Sequence, residues 1–262
     1  MKQLFIIFTC TVTAEADRKS RQALRRAASG AGRVLACGCT SRLDSEKILS
    51  MPEVWAVASS TDEALRILGL SAASPESRVQ PCQSRSRAFL KIQDGCAGSC
   101  SYCRVRLARG APRSISLSDV AQRSGELLQA GHKELVLVGV DLAAYDGGGA
   151  DLADAVAAAA AAGALRVRLS SLEPGRLTVS LLERLAALQA LCPSFHLPMQ
   201  SGDDEVLFAM GRPYTASEFL ELVAAFRRLF PEAFLSTDLI CGFPGESEAA
   251  FAGTLALCRE AG

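Results

Sequence analysis

The sequence predicts an α/β protein, a small amino-terminal α/β domain followed by an incomplete parallel β/α barrel. Three observations predict it. Short apolar, strand-like runs alternate with helical stretches along the chain. That alternation is interrupted once, by a stretch rich in Ser, Pro, Gln and Arg without apolar periodicity. Beyond it, five strand–helix pairs follow in succession, which implies a parallel sheet and favours a barrel or part of one. The 262 residues suffice for one large domain or two smaller ones. The division read from the pattern is a small α/β unit over 1–70, a linker over 71–87 and the barrel over 88–262.

Phe5 to Thr9 reads as a short buried strand and Ala14 to Ala28 as a polar, arginine-rich helix. Arg33 to Ala36 is strand-like and ends at Cys37-Gly38-Cys39. A short helix over Asp44 to Leu49 leads to the run Val54-Trp55-Ala56-Val57, and Thr61 to Leu68 is helical with Thr61 as N-cap. In the barrel, the expected strands are Phe89–Gln93, Glu134–Val140, Leu165–Ser171, Ser194–Met199 and Phe234–Cys241. The expected helices are Leu117–Ala130, Asp151–Ala162, Thr178–Ala190, Ser217–Phe230 and Ser247–Glu260. Active sites of parallel barrels sit at the C-terminal ends of strands. Cys96, Val140-Asp141, Ser171-Leu172-Glu173-Pro174, Gln200-Ser201-Gly202 and Gly242-Phe243-Pro244-Gly245-Glu246 all follow strands, so the polar and glycine-rich segments share one end.

Hydrophobic residues make up 49% and charged residues 21% of the chain, the balance of an ordinary globular protein. The apolar stretch Lys2 to Phe8 is far too short to span a bilayer or to form a secretory core. Ten cysteines, clustered unevenly, imply a reducing setting, for which the cytoplasm is the expectation. The formal net charge of zero hides a polarity. Residues 1–113 hold 18 Lys/Arg against 9 Asp/Glu, and the remainder holds 10 against 19. Arg78, Arg85, Arg87, Lys91, Arg104, Arg106, Arg109 and Arg113 bracket a cysteine-rich loop. Such a field suits a polyanion, and a solvated basic face is the alternative.

That loop, Cys96-Ala97-Gly98-Ser99-Cys100-Ser101-Tyr102-Cys103, packs three thiols into eight residues. Three thiolates can hold three irons of a [4Fe–4S] cube and leave the fourth open to a substrate. The small residues Ala97, Gly98 and Ser99 let the backbone wrap closely. A zinc site or buried structural cysteines are the alternatives, but zinc wants a fourth ligand and neither His132 nor His196 is near in sequence.

The segment Lys91-Ile92-Gln93-Asp94-Gly95-Cys96 with this loop resembles the radical S-adenosylmethionine signature of the methylthiotransferases. Agreement continues through Arg109-Gly110, Arg113-Ser114, Arg168 to Pro174, His196 to Gly202 and Thr237 to Glu246. Upstream, Thr9-Cys10-Thr11-Val12-Thr13 and Ala16 to Gln22 are similar to the amino-terminal domain of that family. The latter stretch, with Ser170 to Pro174, points to the branch that modifies threonylcarbamoyladenosine in tRNA.

The resemblance implies a [4Fe–4S] cluster on Cys96, Cys100 and Cys103 whose open iron binds the amine and carboxylate of S-adenosylmethionine. It implies reductive cleavage to a 5′-deoxyadenosyl radical, which abstracts hydrogen from C2 of an adenine. Tyr102 is placed beside the cluster or adenine, with core packing as the alternative, and Glu173 on the cofactor or as a buried structural carboxylate. Asp141, Gln200, Gly242 and Gly245 fall at the family's cofactor-contacting strand ends, though tight turns also explain the glycines. Partner tRNA would meet Arg87, Arg104, Arg106, Arg109 and Arg113.

A second [4Fe–4S] cluster in the family's amino-terminal domain supplies or carries the inserted sulfur. Cys10 and Cys39 match two of its three ligands. The resemblance places the third ahead of Met1, with Cys37 and Cys82 as weak substitutes. It also places a sixth strand–helix pair and an RNA-binding β-barrel beyond Gly262, so the chain reads as an internal fragment. Modification of a ribosomal-protein aspartate, and a non-catalytic fragment binding cluster, cofactor or RNA, are the competing functions.

Overall fold

The computed structural model describes residues 3–28, 32–70 and 86–262. Most of the expected linker, 71–85, and Cys82, Arg78 and Arg85 with it, lie outside the described residues. Two compact units emerge: Met1–Gln80 together with Cys103–Gly110, and Pro81–Tyr102 together with Ala111–Gly262.

The first unit is a three-stranded parallel sheet in the order β1 (Leu4–Thr9), β2 (Arg33–Gly38), β3 (Val54–Ala58). Helices α1 (Ala14–Ala28), α2 (Cys39–Leu43), α3 (Ser45–Leu49) and α4 (Thr61–Ile67) connect and cover it. The central strand feeds two cores, as a parallel strand covered on both faces must. Val34 and Ala36 pack with Leu24, Ile48 and Val54, while Leu35 and Cys37 pack with Ala58 and Ala64. The expectation of a buried β1 is corrected. It is an edge strand whose Leu4, Ile6 and Phe8 point outward, Phe8 being 67% exposed. An apolar strand reads alike at the edge and the centre of a sheet, because its period carries no information on neighbours.

Two local readings also change. The N-cap of α4 is Ser60, not Thr61: the Ser60 hydroxyl accepts the Glu63 amide, and Glu63 reaches back to the Ser59 amide and hydroxyl. Helix α2 begins at Cys39, directly after Gly38, where a strand end alone was expected. Gly38 has φ +109°, and a Cβ there would lie 2.4 Å from the Thr9 carbonyl oxygen, so only glycine permits this turn. Helix α5 (Val105–Arg109), which the pattern missed, belongs to this unit.

The second unit carries the five expected strand–helix pairs in order. The strands are β4 (Arg87–Lys91), β7 (Glu134–Val138), β8 (Val167–Leu169), β9 (Ser194–His196) and β10 (Phe234–Ser236). Each is shorter at its C-terminal end than the sequence pattern suggests, because the chain leaves the ladder there to form loops. The helices are α6 (Leu117–Gln129), α7 (Leu152–Ala161), α8 (Val179–Ala186), α10 (Ala216–Leu229) and α11 (Glu248–Ala261), with an unexpected α9 (Asp204–Met210) between β9 and α10. A small antiparallel pair, β5 (Gln93–Asp94) and β6 (Arg113–Ser114), was also not anticipated.

The five strands do not form one continuous ladder. They pair in parallel as β4-β7-β8 and β9-β10. The ladder breaks between β8 and β9 beside Pro193, whose own carbonyl accepts the Phe234 amide on the β10 side. There Ser194 N donates to the Cys192 carbonyl instead of to β8. Flanking bonds, Val167 N to Ala190 O at 2.7 Å and Cys192 N to Val167 O at 2.8 Å on one side and Leu172 N to His196 O at 2.9 Å on the other, keep the strands in sequence. Helices cover the sheet through a core that includes Phe195, whose ring centroid is 4.8 Å from those of Phe226 and Phe230. No described helix is long and apolar enough to cross a membrane.

Candidate functional site

Loops at the C-terminal ends of the second unit's strands build one cavity of about 310 Å³. The cysteine loop from Cys96 to Cys100 lines it together with Asp141, Glu173, Gly175, Arg176 and the Gly211-Arg212-Pro213 turn. The segment entering the loop is fixed by Gln93, a fully buried side chain. Its Nε2 donates to the carbonyls of Asp94 and Gly95, and its Oε1 accepts the Asp141 amide at 2.9 Å. One glutamine thereby ties the approach to Cys96 to the loop after β7. Asp94 adds a second tie, accepting Lys91 Nζ at 3.1 Å, Arg113 Nη2 at 2.8 Å and its neighbour's Gly95 amide.

The far side of the cysteine loop rests on α9. Ser101 donates from its amide to Met210 O at 3.0 Å and from its hydroxyl to Ala209 O at 2.9 Å. Helix α9 ends at Gly211 with φ +71°, and a Cβ there would meet the Ser99 carbonyl oxygen at 3.0 Å. Glycine is therefore required both for the left-handed helix end and for the close approach of the loop.

Two ion pairs face the loop, each with one buried member, Asp141 in one and Arg212 in the other. Asp141 is 4% exposed; its Oδ2 accepts Arg176 Nε at 2.7 Å and lies 3.8 Å from Cys96 Sγ, and its buried Oδ1 has no hydrogen-bond partner. Arg212 Nη2 donates to both oxygens of Glu173, at 2.8 and 2.9 Å. Burial raises the Glu173 carboxyl above the usual carboxylate range, with the guanidinium offsetting part of that rise. Burial works against the Arg212 charge, yet Glu173 and the hydroxyls of Tyr214 and Tyr102 hold its pKa above the ordinary arginine value. Tyr214, whose hydroxyl donates to the Pro198 and Met199 carbonyls, is pushed up to about 12 by its burial.

The donors are of the kind a [4Fe–4S] cluster takes, Cys96 and Cys100 in the second unit and Cys103 in the first. Each of the three cysteine sulfurs accepts one N–H: Gly98 N to Cys96 at 3.1 Å, Arg212 Nη1 to Cys100 at 3.4 Å and Val105 N to Cys103 at 3.4 Å. Hydrogen bonds of this kind are what negatively charged sulfur requires. A Cβ on Gly98 would stand 3.2 Å from Cys96 Sγ and 3.9 Å from Cys100 Sγ, so a side chain would fill the cradle between the two. Among the described residues no three His, Cys, Asp or Glu side chains are arranged to hold a single metal ion.

The structure thus brings Cys96, Cys100, Asp141 and Glu173 to one cavity. Tyr102 packs with Val206 and Met210 and accepts Arg212 Nη1 at 3.3 Å, and burial raises its pKa. Gln200, the one described non-glycine residue with positive φ (+72°), is held by backbone bonds to Asp238 and Ile240 and does not line the cavity. Gly245 lines a separate recess with Asp203, Glu205 and Ser247, and Gly242 turns beside it. Nothing lies within 4 Å of a Cβ built on either glycine.

The arginines divide. Arg87 opens β4, at the end of the strand opposite the cysteine loop, and pairs with Glu134 at 2.7 Å. Arg113 pairs with Asp94. Arg104, Arg106 and Arg109 lie exposed on or beside α5, where Arg104 Nη1 donates to Thr11 Oγ1 at 3.3 Å. Arg212, Arg176 and Tyr214 are the functional candidates that sequence reasoning missed. The signal available was Gly211-Arg212-Pro213-Tyr214, a helix-stop glycine and a proline around one arginine, hidden because α9 went unrecognised.

In the first unit, Cys10 and Cys39 follow the paired strand ends Thr9 and Gly38 and so are neighbours at one edge of the sheet. Their surroundings are hydroxyls. Ser20 Oγ meets the amide and carbonyl of Cys10, and Thr9 Oγ1 meets Ser41 and the Cys37 carbonyl. Cys37 is 1% exposed within an apolar cluster, and burial raises its pKa, so its thiol is committed to packing. Cys10 and Cys39 are two thiols where the three-ligand cluster takes three, and they do not fit it.

Residues 90–258 match the radical SAM superfamily. Curated relatives named threonylcarbamoyladenosine tRNA methylthiotransferase MtaB include one from Chlamydia pneumoniae, 32% identical over 99% of this chain and 63% of its own length. Another, from Bacillus subtilis, is 32% identical over 98% of this chain and 62% of its own. The chain thus spans about 63% of the length of these relatives. Among solved structures, the cobalamin-dependent S-adenosylmethionine radical enzyme OxsB superposes with a TM-score of 0.66 at 10% identity, over 97% of this chain and 43% of that one. The radical S-adenosylmethionine methyltransferase TsrM from Kitasatospora setae gives 0.64 at 15% identity, over 98% and 60%. These two likenesses concern the fold alone.

Proposed function

Because the chain belongs to the radical SAM superfamily, we propose that it acts as a tRNA methylthiotransferase, converting N6-threonylcarbamoyladenosine 3′ of the anticodon to its 2-methylthio derivative. The observation that carries this reading is the cavity in which Cys96 and Cys100 face two arginine–carboxylate pairs, each with one buried member. A [4Fe–4S] cluster held by Cys96, Cys100 and Cys103 supplies, when bound, the electron that cleaves S-adenosylmethionine to a carbon radical. The chain's own residues do the rest. Asp141 Oδ1 is a buried acceptor lacking a donor, which an ammonium or hydroxyl group of the ligand satisfies. Arg176 keeps that carboxylate oriented, and the Glu173–Arg212 pair fixes the opposite wall. Gln93 and α9 clamp the loop so that the thiols do not reorganise when the ligand enters. The exposed Arg104, Arg106 and Arg109 offer phosphate contacts for tRNA, and Arg113 and Arg87 can join only by sharing charge with Asp94 and Glu134.

The test is anaerobic reconstitution of the chain with iron and sulfide, followed by incubation with S-adenosylmethionine and a reductant. Release of 5′-deoxyadenosine is the expected result, and its absence from a loaded protein rejects the reading. The tRNA substrate is tested by nucleoside analysis after deletion of the gene in its host. Loss of the 2-methylthio derivative supports it, whereas a change confined to a ribosomal-protein aspartate assigns the chain to that activity instead.

A further inference from the structure

We propose that Arg212 is a positioning residue that sets the reduction potential of the cluster, by holding one charged N–H on the Cys100 sulfur. The inference rests on reading Cys96, Cys100 and Cys103 as a [4Fe–4S] site.

The Arg212 side chain is 4% exposed, and a guanidinium that deep persists only where its donors are matched. Nη2 is taken by both oxygens of Glu173, by Pro198 O at 3.2 Å and by Tyr214 OH at 2.9 Å. Nε is taken by Tyr214 OH at 3.1 Å, with the guanidinium 5.0 Å from the centre of the Tyr214 ring. These contacts fix the plane of the group. Nη1 is then directed at Cys100 Sγ, 3.4 Å away, and at Tyr102 OH, 3.3 Å away. A neutral thiol is a poor partner for so costly an arrangement, whereas a sulfur carrying part of a cluster's negative charge matches it. Gly211, immediately before Arg212, packs on the Ser99 carbonyl and so ties the arginine's backbone to the loop that carries Cys100.

The sign follows from electrostatics. Reduction adds one negative charge to the cluster, and a fixed cation with a donor on its ligand stabilises the reduced form more than the oxidised one. Arg212 therefore raises the potential, and Glu173, its counter-charge, holds that rise in check.

The experiment is a redox titration of the reconstituted chain, without S-adenosylmethionine, at mildly alkaline pH, followed by the electron spin resonance of the reduced cluster. Iron and sulfide are counted on every variant. Arg212→Gln is expected to shift the midpoint to more negative potential, and Arg212→Lys to fall between it and the wild type. Glu173→Gln removes the counter-charge but keeps the guanidinium, and is expected to shift the midpoint the opposite way. A merely structural role predicts lowered loading, or shifts of one sign. Loaded variants with unmoved midpoints, or with Arg212→Gln and Glu173→Gln moving together, overturn the proposal. If Arg212→Gln does not load, the direction of the Glu173→Gln shift decides. A wild-type chain that takes up no iron or sulfide overturns the cluster reading, and this inference falls with it.

Discussion

The first unit and the second both carry cysteines beyond strand ends, yet they surround them differently. At Cys10 and Cys39 the neighbours are Ser20, Thr9 and Ser41, neutral hydroxyls closing on backbone and on one another. At Cys96 and Cys100 the neighbours are Asp141 with Arg176 and Glu173 with Arg212, ion pairs in which Asp141 and Arg212 are taken out of water. Hydroxyls satisfy a strand end at little cost. Buried ion pairs seldom add stability over apolar packing and are retained where a charge must be met. The comparison teaches that thiols at a strand end do not by themselves mark equal chemistry; the charge built around the sulfur separates the two sites.

The sharpest way to break this comparison is to remove one thiol from each region. Cys100→Ser is expected to abolish cluster uptake by the reconstituted chain, seen as loss of its visible absorption and of bound iron and sulfide. Cys39→Ser is expected to leave the iron content of the same chain unchanged, because two thiolates hold a cube poorly. Equal losses from both substitutions would show that the two regions serve one cluster, or that each holds its own.

How far the sequence led depends on whether the signal was local. The βα alternation is local, and each of the ten strands and helices expected in the barrel is present within a few residues. The thiol spacing is local too. What escaped was set by tertiary context. Helix α9 is seven residues long and lies in a loop, too short for a 3.6-residue period to declare itself. Arg212 escaped with it, since nothing in its neighbours shows that Glu173, thirty-nine positions earlier, is its partner. The break between β8 and β9 comes from the Ser194 amide turning back to the Cys192 carbonyl, a contact no local pattern announces. Gln93 is the reverse case, a residue of the recognised motif whose role as a bolt to the Asp141 amide only the geometry shows.

A second, smaller effect contrasts the two ends of the barrel strands. Glu134 opens β7 and is ringed by Arg87 at 2.7 Å, Arg166 at 3.0 Å and Arg168 at 3.1 Å, joining β4, β7 and β8 away from the cysteine loop. Burial works to raise this carboxyl, but the three guanidiniums outweigh it and hold it below the usual range. A depressed native pKa means that the folded chain binds this proton less readily than the unfolded one. The stabilisation is therefore complete above the ordinary carboxylate value of about 4.5 and is lost as pH falls through the lower native value. Glu134→Gln should cost about 2 kcal/mol near neutral pH, the exposed arginines limiting the figure. Denaturant titrations should show the wild type losing this advantage on acidification, so that the two curves converge. Cluster uptake should be unaffected. A parallel pair of pH curves, or impaired uptake, would show that the two ends of the strands are not separable.

The smallest effect asks whether the two units obey the same local rules where no charge is buried. Ser60 caps α4 in the first unit, and Thr215 caps α10 in the second, each accepting the amide three residues on at 3.2 Å. Both have a glutamate at that third position reaching back, Glu63 to Ser59 and Glu218 to the Thr215 amide. Ser60→Ala and Thr215→Ala should each cost about 1 kcal/mol. Thr61→Ala should change stability by no more than about 0.5 kcal/mol, since Thr61 is already inside the helix and its hydroxyl caps nothing. Thermal or denaturant unfolding measures all three. A larger loss from Thr61→Ala than from Ser60→Ala would return the cap to Thr61. Near-equal losses from Ser60→Ala and Thr215→Ala would show that the units differ in the charges gathered around their thiols and not in how their helices are made.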